Sequence, residues 1–186
     1  MKNIITEFTL HPLTNPNFIH GSLARYRQNG IEKSWEVVKA HDSVAILLYH
    51  KEKESFILVK QFRPAVYNSN QNGMTLELCA GIVDKNLTLR EIAKEEIEEE
   101  CGYRVPLENI SKITSFYTSV GFAGSKQVLY YAQVDEAMRV SKGGGVDGEL
   151  IEVITIPTAE AKEFIYNENI AKSTGLMFAF LWWFDR

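Results

Sequence analysis

Glu95, Glu96, Glu98, Glu99 and Glu100 crowd six positions of the chain, and their phase decides what chemistry they could do. Thr88 with Glu91 three residues on is a capping box, and Gly102 after Cys101 is a stop signal, so the spacing predicts a helix from about 88 to 101. At about 100° per residue, Leu89, Ile92, Ala93, Ile97 and Cys101 make an apolar stripe that should face a core. Glu91, Glu95 and Glu98 lie away from the stripe, as a solvated acidic face would. Glu96 and Glu100 fall in its middle, with Glu99 at the edge of the same cluster. Two carboxylates one turn apart repel each other and cost roughly several kcal/mol each to bury unpaired, so a positive partner is required. A hard divalent cation fits better than lysine, because it takes carboxylate oxygens and keeps positions free for phosphate oxygens.

The elements around this helix read as a mixed α/β unit. Val44 to Tyr49 and Phe56 to Phe62 are strands rich in branched and aromatic residues, the second ended by Arg63-Pro64. Asn68 to Gly73 reads as a surface loop leading to a short strand, Thr75 to Leu78, with Glu77 on it and Gly81 just beyond. After the helix, Ile113 to Thr118 and Gln127 to Val134 are two further strands, separated by Ser119 to Ser125. Ser141 to Glu149 carries four glycines and two acids and reads as a mobile loop or a linker. Pro157 is expected to open a helix, and a last helix should run from about Thr174 through Trp183. Before residue 43 the texture differs. Short extended pieces at Ile4 to Leu10, Ser22 to Gln28 and Lys33 to Lys39 are broken by Pro12, Pro16 and Asn29-Gly30, and the last two pieces read as a hairpin. Trp35 on it is either a core or interface tryptophan or a platform for a stacked base.

Gly81, Glu96, Ile97, Glu99, Glu100, Gly102 and Tyr103 match in register the Nudix box, G-x5-E-x7-R-E-U-x-E-E-x-G-U, so this chain resembles that family. Leu87 stands where the box has its first glutamate, and Glu95 where it has an arginine that helps orient the metal-binding glutamates. The likeness extends over most of the chain. YRQNG, KSW, HDSV, VKQFRPAVY, ELCAGIVD, ECGY and GELIEV are similar in type and order to the nucleoside diphosphate sugar pyrophosphatase branch, above all UDP-glucose pyrophosphatases, with ADP-ribose pyrophosphatases as wider kin. The resemblance implies an α/β/α sandwich with a mixed sheet over residues 43–186, and a small antiparallel β region over residues 1–42 that joins two chains into a homodimer. It implies that Glu96, Glu100 and the Ala80 carbonyl hold magnesium, or manganese, with Glu99 as a further ligand or bridge. Arg63 would face the diphosphate, Glu77 would help hold the substrate, and Trp35 would lie at the base. The glycine-rich loop would bring an acid to the site: Glu149, or else Glu152. The implied reaction is metal-dependent hydrolysis of a nucleoside diphosphate sugar to a nucleoside monophosphate and a sugar phosphate. The two broken box positions leave a second reading open, a nucleotide-sugar binding or regulatory module without catalysis.

Composition narrows the field. The chain has 186 residues, 45% of them hydrophobic, enough for one sizeable core. Its net charge of -4 offers no footprint for nucleic acid or an anionic membrane. The apolar run Leu176 to Phe184 is too short to span a bilayer. Neither a signal-like start nor a disulfide framework is evident; Cys79 and Cys101 sit among apolar neighbours, as expected of reduced thiols in a cytoplasmic protein. The four histidines, at 11, 20, 41 and 50, have no metal-ligand spacing.

Overall fold

A computed structural model describes residues 5–146 and 148–186. Strands β3 (Ser43–His50), β4 (Ser55–Phe62), β5 (Met74–Glu77), β6 (Cys79–Ile82), β7 (Ser111–Thr118), β8 (Ser125–Val134) and β9 (Glu152–Pro157) form one mixed sheet. Its main path runs β5-β4-β3-β8-β7, with β6 beside β3 and β9 beside β4. β3 and β8 are parallel, Ser43 to His50 opposite Gln127 to Val134, while the other pairs in this sheet are antiparallel.

Helices cover both faces. On one, α2 (Leu89–Glu96) and the π-helical turn Ile97–Cys101 bury Ile92, Ala93, Ile97 and Cys101 against Val44, Ile46, Val59 and Val128. On the other, α3 (Ala161–Tyr166) and α4 (Thr174–Asp185) pack Phe164, Leu176 and Phe180 on Ala45, Leu47, Phe56 and Leu129. Alternate residues of β3 thus feed opposite cores, which is the strand periodicity of two at work. The result is the α/β/α sandwich with a mixed sheet. None of the described helices is long and apolar enough to cross a membrane.

β1 (His20–Gln28) and β2 (Ile31–Lys39) make a separate antiparallel hairpin. Asn29 and Gly30 both have positive φ, 54° and 81°, which is the two-residue turn that matches strand twist. The hairpin is mostly exposed, including Leu23, Ile31 and Trp35. Two strands alone bury little, and this pair leans on the rest through the bond from Val38 N–H to the Phe122 carbonyl, 2.8 Å.

Several sequence expectations are corrected. Residues 5–10 form no strand, and Ile4 of that piece lies outside the described residues. Pro64 does not merely end β4: it opens α1 (Pro64–Asn70), so only the end of the expected loop at 68–73 is irregular. Pro157 closes β9 at its pairing with Ser55, and α3 begins at Ala161 after a turn in which Glu160 N–H reaches the Pro157 carbonyl. Proline fits a strand end as well as a helix start, because neither place requires its missing N–H.

Candidate active site

The capping box forms as the sequence requires. Glu91 N–H donates to Thr88 Oγ1, and Glu91 takes the Thr88 N–H at 2.8 Å. Up to Glu96 the helix is α; from Ile97 to Cys101 it widens to a π turn, a local irregularity common at functional sites. It ends at Gly102, whose φ of 80° is the left-handed stop.

The end of α2 and the turn after it carry the two stripe glutamates, Glu96 and Glu100, onto β6. Glu100 is only 4% exposed, and its Oε2 accepts the backbone N–H of Ala80 at 2.9 Å. Glu96 lies against Gly81 so closely that a Cβ there would overlap its carboxylate. Gly81 has no positive φ, so it is space for Glu96 that the glycine provides. Burial, and then the charge of Glu99, push the Glu96 carboxyl up to about 7. Burial pushes Glu100 up to about 8, with Glu96 and Glu149 adding to it against the pull of the Ala80 N–H. Both shifts are those of buried acids with other acids beside them, burial being the larger cause.

The glycine-rich stretch is no free linker. Gly144 N–H donates to the Glu100 carbonyl at 2.9 Å and Gly145 N–H to the Glu99 carbonyl at 3.1 Å, capping the π turn from outside. Gly143, Gly144 and Gly145 have φ of 66°, 116° and 83°, and a Cβ on Gly143 would overlap the Glu100 carbonyl. This strap holds Glu149 near the cluster, where its charge is felt by Glu96, Glu100 and Arg63. Glu149 Oε2 accepts from Val146 N–H at 3.2 Å. Asp147, between them, lies outside the described residues. Glu152 points its charge at Lys60 instead, at 3.3 Å.

Arg63, at the end of β4, grips Glu77 with two bonds, Nε to Oε1 at 2.7 Å and Nη2 to Oε2 at 2.8 Å. Thr75 Oγ1 adds a third bond to the same carboxylate at 2.6 Å. Burial raises the Glu77 carboxyl, but Arg63 and Thr75 together hold it below the usual glutamate range. The two residues expected to contact substrate independently are therefore one unit, with Glu77 aiming the guanidinium. Arg63 also feels Glu100 and Glu149, so it stands beside the carboxylates with further N–H donors to offer a phosphate.

The other glutamates of the run have ordinary partners. Glu98 takes Arg104 in a two-bond pair, 3.0 and 2.6 Å, and Glu95 takes Lys85 Nζ at 2.9 Å. Sequence reasoning missed Lys85, which also lies within Coulombic reach of Glu99 and Glu96 and lowers the Glu96 carboxyl. An acid at 95 is thus matched by a cation at 85. Trp35 is 58% exposed, which excludes a core role, and its Nε1–H donates to the Gly121 carbonyl at 2.6 Å, on the loop after β7.

Among the described residues no three His, Cys, Asp or Glu side chains converge tightly enough to enclose a metal ion. The donor set nonetheless fits a hard cation that keeps several of its own waters: Glu100 is a buried carboxylate, with the carboxylates of Glu96 and Glu149 acting on it. The Ala80 contact that is seen is through its N–H, leaving the carbonyl's implied role as a proposal.

The NUDIX domain profile matches residues 39–174. The chain is 40% identical over 189 residues to uridine diphosphate glucose pyrophosphatase of Bos taurus, covering 86% of this chain and 85% of that protein. It is 38% identical over 204 residues to its Mus musculus counterpart, covering 94% and 90%. GDP-mannose pyrophosphatase of Cronobacter sakazakii is 43% identical over 129 residues, covering 69% of this chain and 66% of that protein.

Proposed function

The chain belongs to the NUDIX domain family, and from that premise we propose that it hydrolyses the diphosphate bond of nucleoside diphosphate sugars, UDP-glucose or ADP-ribose in type, with magnesium or manganese. The observation that carries this reading is the Glu96–Glu100 pair. Two acids pushed up to about 7 and 8 are seated against Gly81 and Ala80, with the Arg63 guanidinium beside them. The relatives, named as pyrophosphatases of UDP-glucose and of GDP-mannose, support the substrate class.

Glu96 and Glu100, with Glu99 and the Ala80 carbonyl, would hold the divalent cation. Bound there, it would supply charge neutralisation for the diphosphate and a water acidified for in-line attack. The protein's own groups do the rest. Ala80 N–H fixes the Glu100 carboxylate before substrate arrives, and Gly81 leaves Glu96 its place. Arg63, aimed by Glu77, binds phosphate oxygens in the plane of its fork. Glu149, carried by the Gly143–Gly145 strap, receives the proton of the attacking water. The products are a nucleoside monophosphate and a sugar phosphate.

The hairpin, with Leu23, Tyr26, Ile31 and Trp35 exposed, supports a homodimer in which β1 and β2 meet the partner, and a base stacked on Trp35. The free thiols of Cys79 and Cys101 fit a cytoplasmic protein. The binding-module reading rested on Leu87 and Glu95; the Lys85 partner makes Glu95 an accommodated change, which favours the enzyme. The test is incubation of the purified protein with UDP-glucose, GDP-mannose and ADP-ribose, with Mg2+ and with chelator. Metal-dependent release of nucleoside monophosphate is expected. No release, with substrate still stabilising the protein to heat, would establish the binding module instead.

A further inference from the structure

A cavity of about 360 Å3 opens beside the carboxylates, reaching from Glu77 and Ala80 to the start of α4. Its charge is unusual for a site that handles a dianion. Among the described residues the one ionised side chain on its wall is Glu77, already committed to Arg63 and Thr75; the remaining polar side chains are neutral, among them Gln127, Ser119 and Thr174. A wall of neutral, hydrogen-bonding side chains suits an uncharged polyhydroxyl group.

Gln127 is set in this wall by two neighbours. Its Nε2 donates to Ser43 Oγ at 3.0 Å, which fixes the amide's orientation. Gly175 then leaves room for the other end. It lies in the first turn of α4, is buried, and has no positive φ, so its backbone does not need glycine, and glycine is disfavoured in a helix against alanine. A Cβ at 175 would stand 2.8 Å from Gln127 Oε1 and 3.3 Å from the Phe116 ring. What this glycine provides is space for the amide oxygen. The loop after β7 separates the cavity from Trp35: Ser119 and Val120 face the cavity, while Gly121 takes the Trp35 N–H.

We propose that this cavity receives the sugar of the substrate and that Gln127, held by Ser43 and given room by Gly175, is the residue that selects it by hydrogen bonding its hydroxyls. The inference rests on the hydrolase reading above. It assigns the two ends of the substrate to opposite sides of one loop, sugar toward Gln127 and base toward Trp35.

The test is a matrix of kcat/KM values for wild type, Gln127→Leu, Ser43→Ala and Gly175→Ala. One series varies the sugar on one base (UDP-glucose, UDP-galactose, UDP-xylose), and the other varies the base on one sugar (UDP-glucose, ADP-glucose, GDP-glucose). Gln127→Leu is expected to lower kcat/KM for UDP-glucose about three- to tenfold, the loss of one neutral hydrogen bond. It should change the ratios within the sugar series while leaving those within the base series as they were. Ser43→Ala should shift the sugar ratios the same way but less, and Gly175→Ala likewise if it folds; the first two variants carry the test regardless. Ratios that change in the base series, or in neither, overturn the assignment. Wild-type protein that turns over no member of either series, nor ADP-ribose or GDP-mannose, overturns the hydrolase reading, and this inference with it.

Discussion

The backbone N–H of Ala80 and the Oε2 of Glu100, 2.9 Å apart, join the strand β6 to the last turn of the glutamate-rich helix. A carboxylate that is 4% exposed and pushed up to about 8 is costly to ionise where it stands. Its use must therefore lie in what it can bind. Glu100→Gln keeps the shape and can still accept from Ala80, so the fold should persist with an equal or higher Tm. Turnover should fall roughly a hundredfold or more, because a cation ligand is gone. Measuring kcat and the Mg2+-induced rise in Tm on the same preparation checks both; undiminished turnover would show that Glu100 is not a ligand.

Glu96 and Glu100 also set a pH dependence. Folding raises their pKa values from an ordinary 4.5 to about 7 and about 8. Between those limits the unfolded chain has lost protons that the folded chain keeps, so stability falls as pH rises. Their contribution is fully present below about 4.5 and is lost as pH passes 7 to 8. Without metal, Tm should decline by a few degrees between pH 5.5 and 8.5 on this account. Added Mg2+ should restore most of that loss, and its effect should grow with pH. A Tm rise that is equal at both pH values would place the cation elsewhere.

Much of this site was legible from spacing, and the reasons for what was not are local. The capping box, the stripe and the Gly102 stop follow from side-chain chemistry within a few residues, and all three are found. The hairpin turn at Asn29-Gly30 is equally local. The π turn at 97–101 could not be read at 100° per residue, and the glycine strap that caps its carbonyls lies more than forty residues on. Nor could the Arg63–Glu77 grip, which joins residues 14 apart through the pairing of β4 with β5. Lys85 was invisible for the same reason: its partner Glu95 lies across a loop and a helix start. Pro64 and Pro157 misled because proline marks a boundary without saying which element begins there.

Gly81→Ala asks whether space alone is at issue. The added methyl would overlap the Glu96 carboxylate, while the backbone conformation at 81 suits any residue. The expected result is a loss of roughly ten- to a hundredfold in kcat, with weaker Mg2+ stabilisation and little change in metal-free Tm. If Tm collapses while the surviving folded protein keeps full kcat, Gly81 serves packing and not Glu96.

Arg63→Lys replaces a fork by a point charge. The Glu77 grip uses Nε and Nη2, a geometry that lysine cannot reproduce. KM for a nucleoside diphosphate sugar should rise about tenfold, more than kcat falls, if the residue holds phosphate in the ground state as well. Glu77→Gln should raise KM in the same direction by less, because Arg63 remains but is no longer aimed. An Arg63→Lys enzyme with normal KM and depressed kcat would make Arg63 a group that acts only in the transition state.

Trp35 has two separable features, an exposed ring and an N–H bonded to Gly121. Trp35→Phe removes the second and keeps the first. It should weaken the docking of the hairpin by about 1 kcal/mol, seen as faster hydrogen exchange at the Val38 N–H that reaches Phe122, with KM nearly unchanged. Trp35→Ala removes both, and should in addition raise KM for substrates of every base, since a lost stacking partner costs about 1–3 kcal/mol whatever the base. Equal KM values for the two variants and the wild type would leave Trp35 the role of fastening the hairpin to the loop after β7, and would move the base platform to another aromatic.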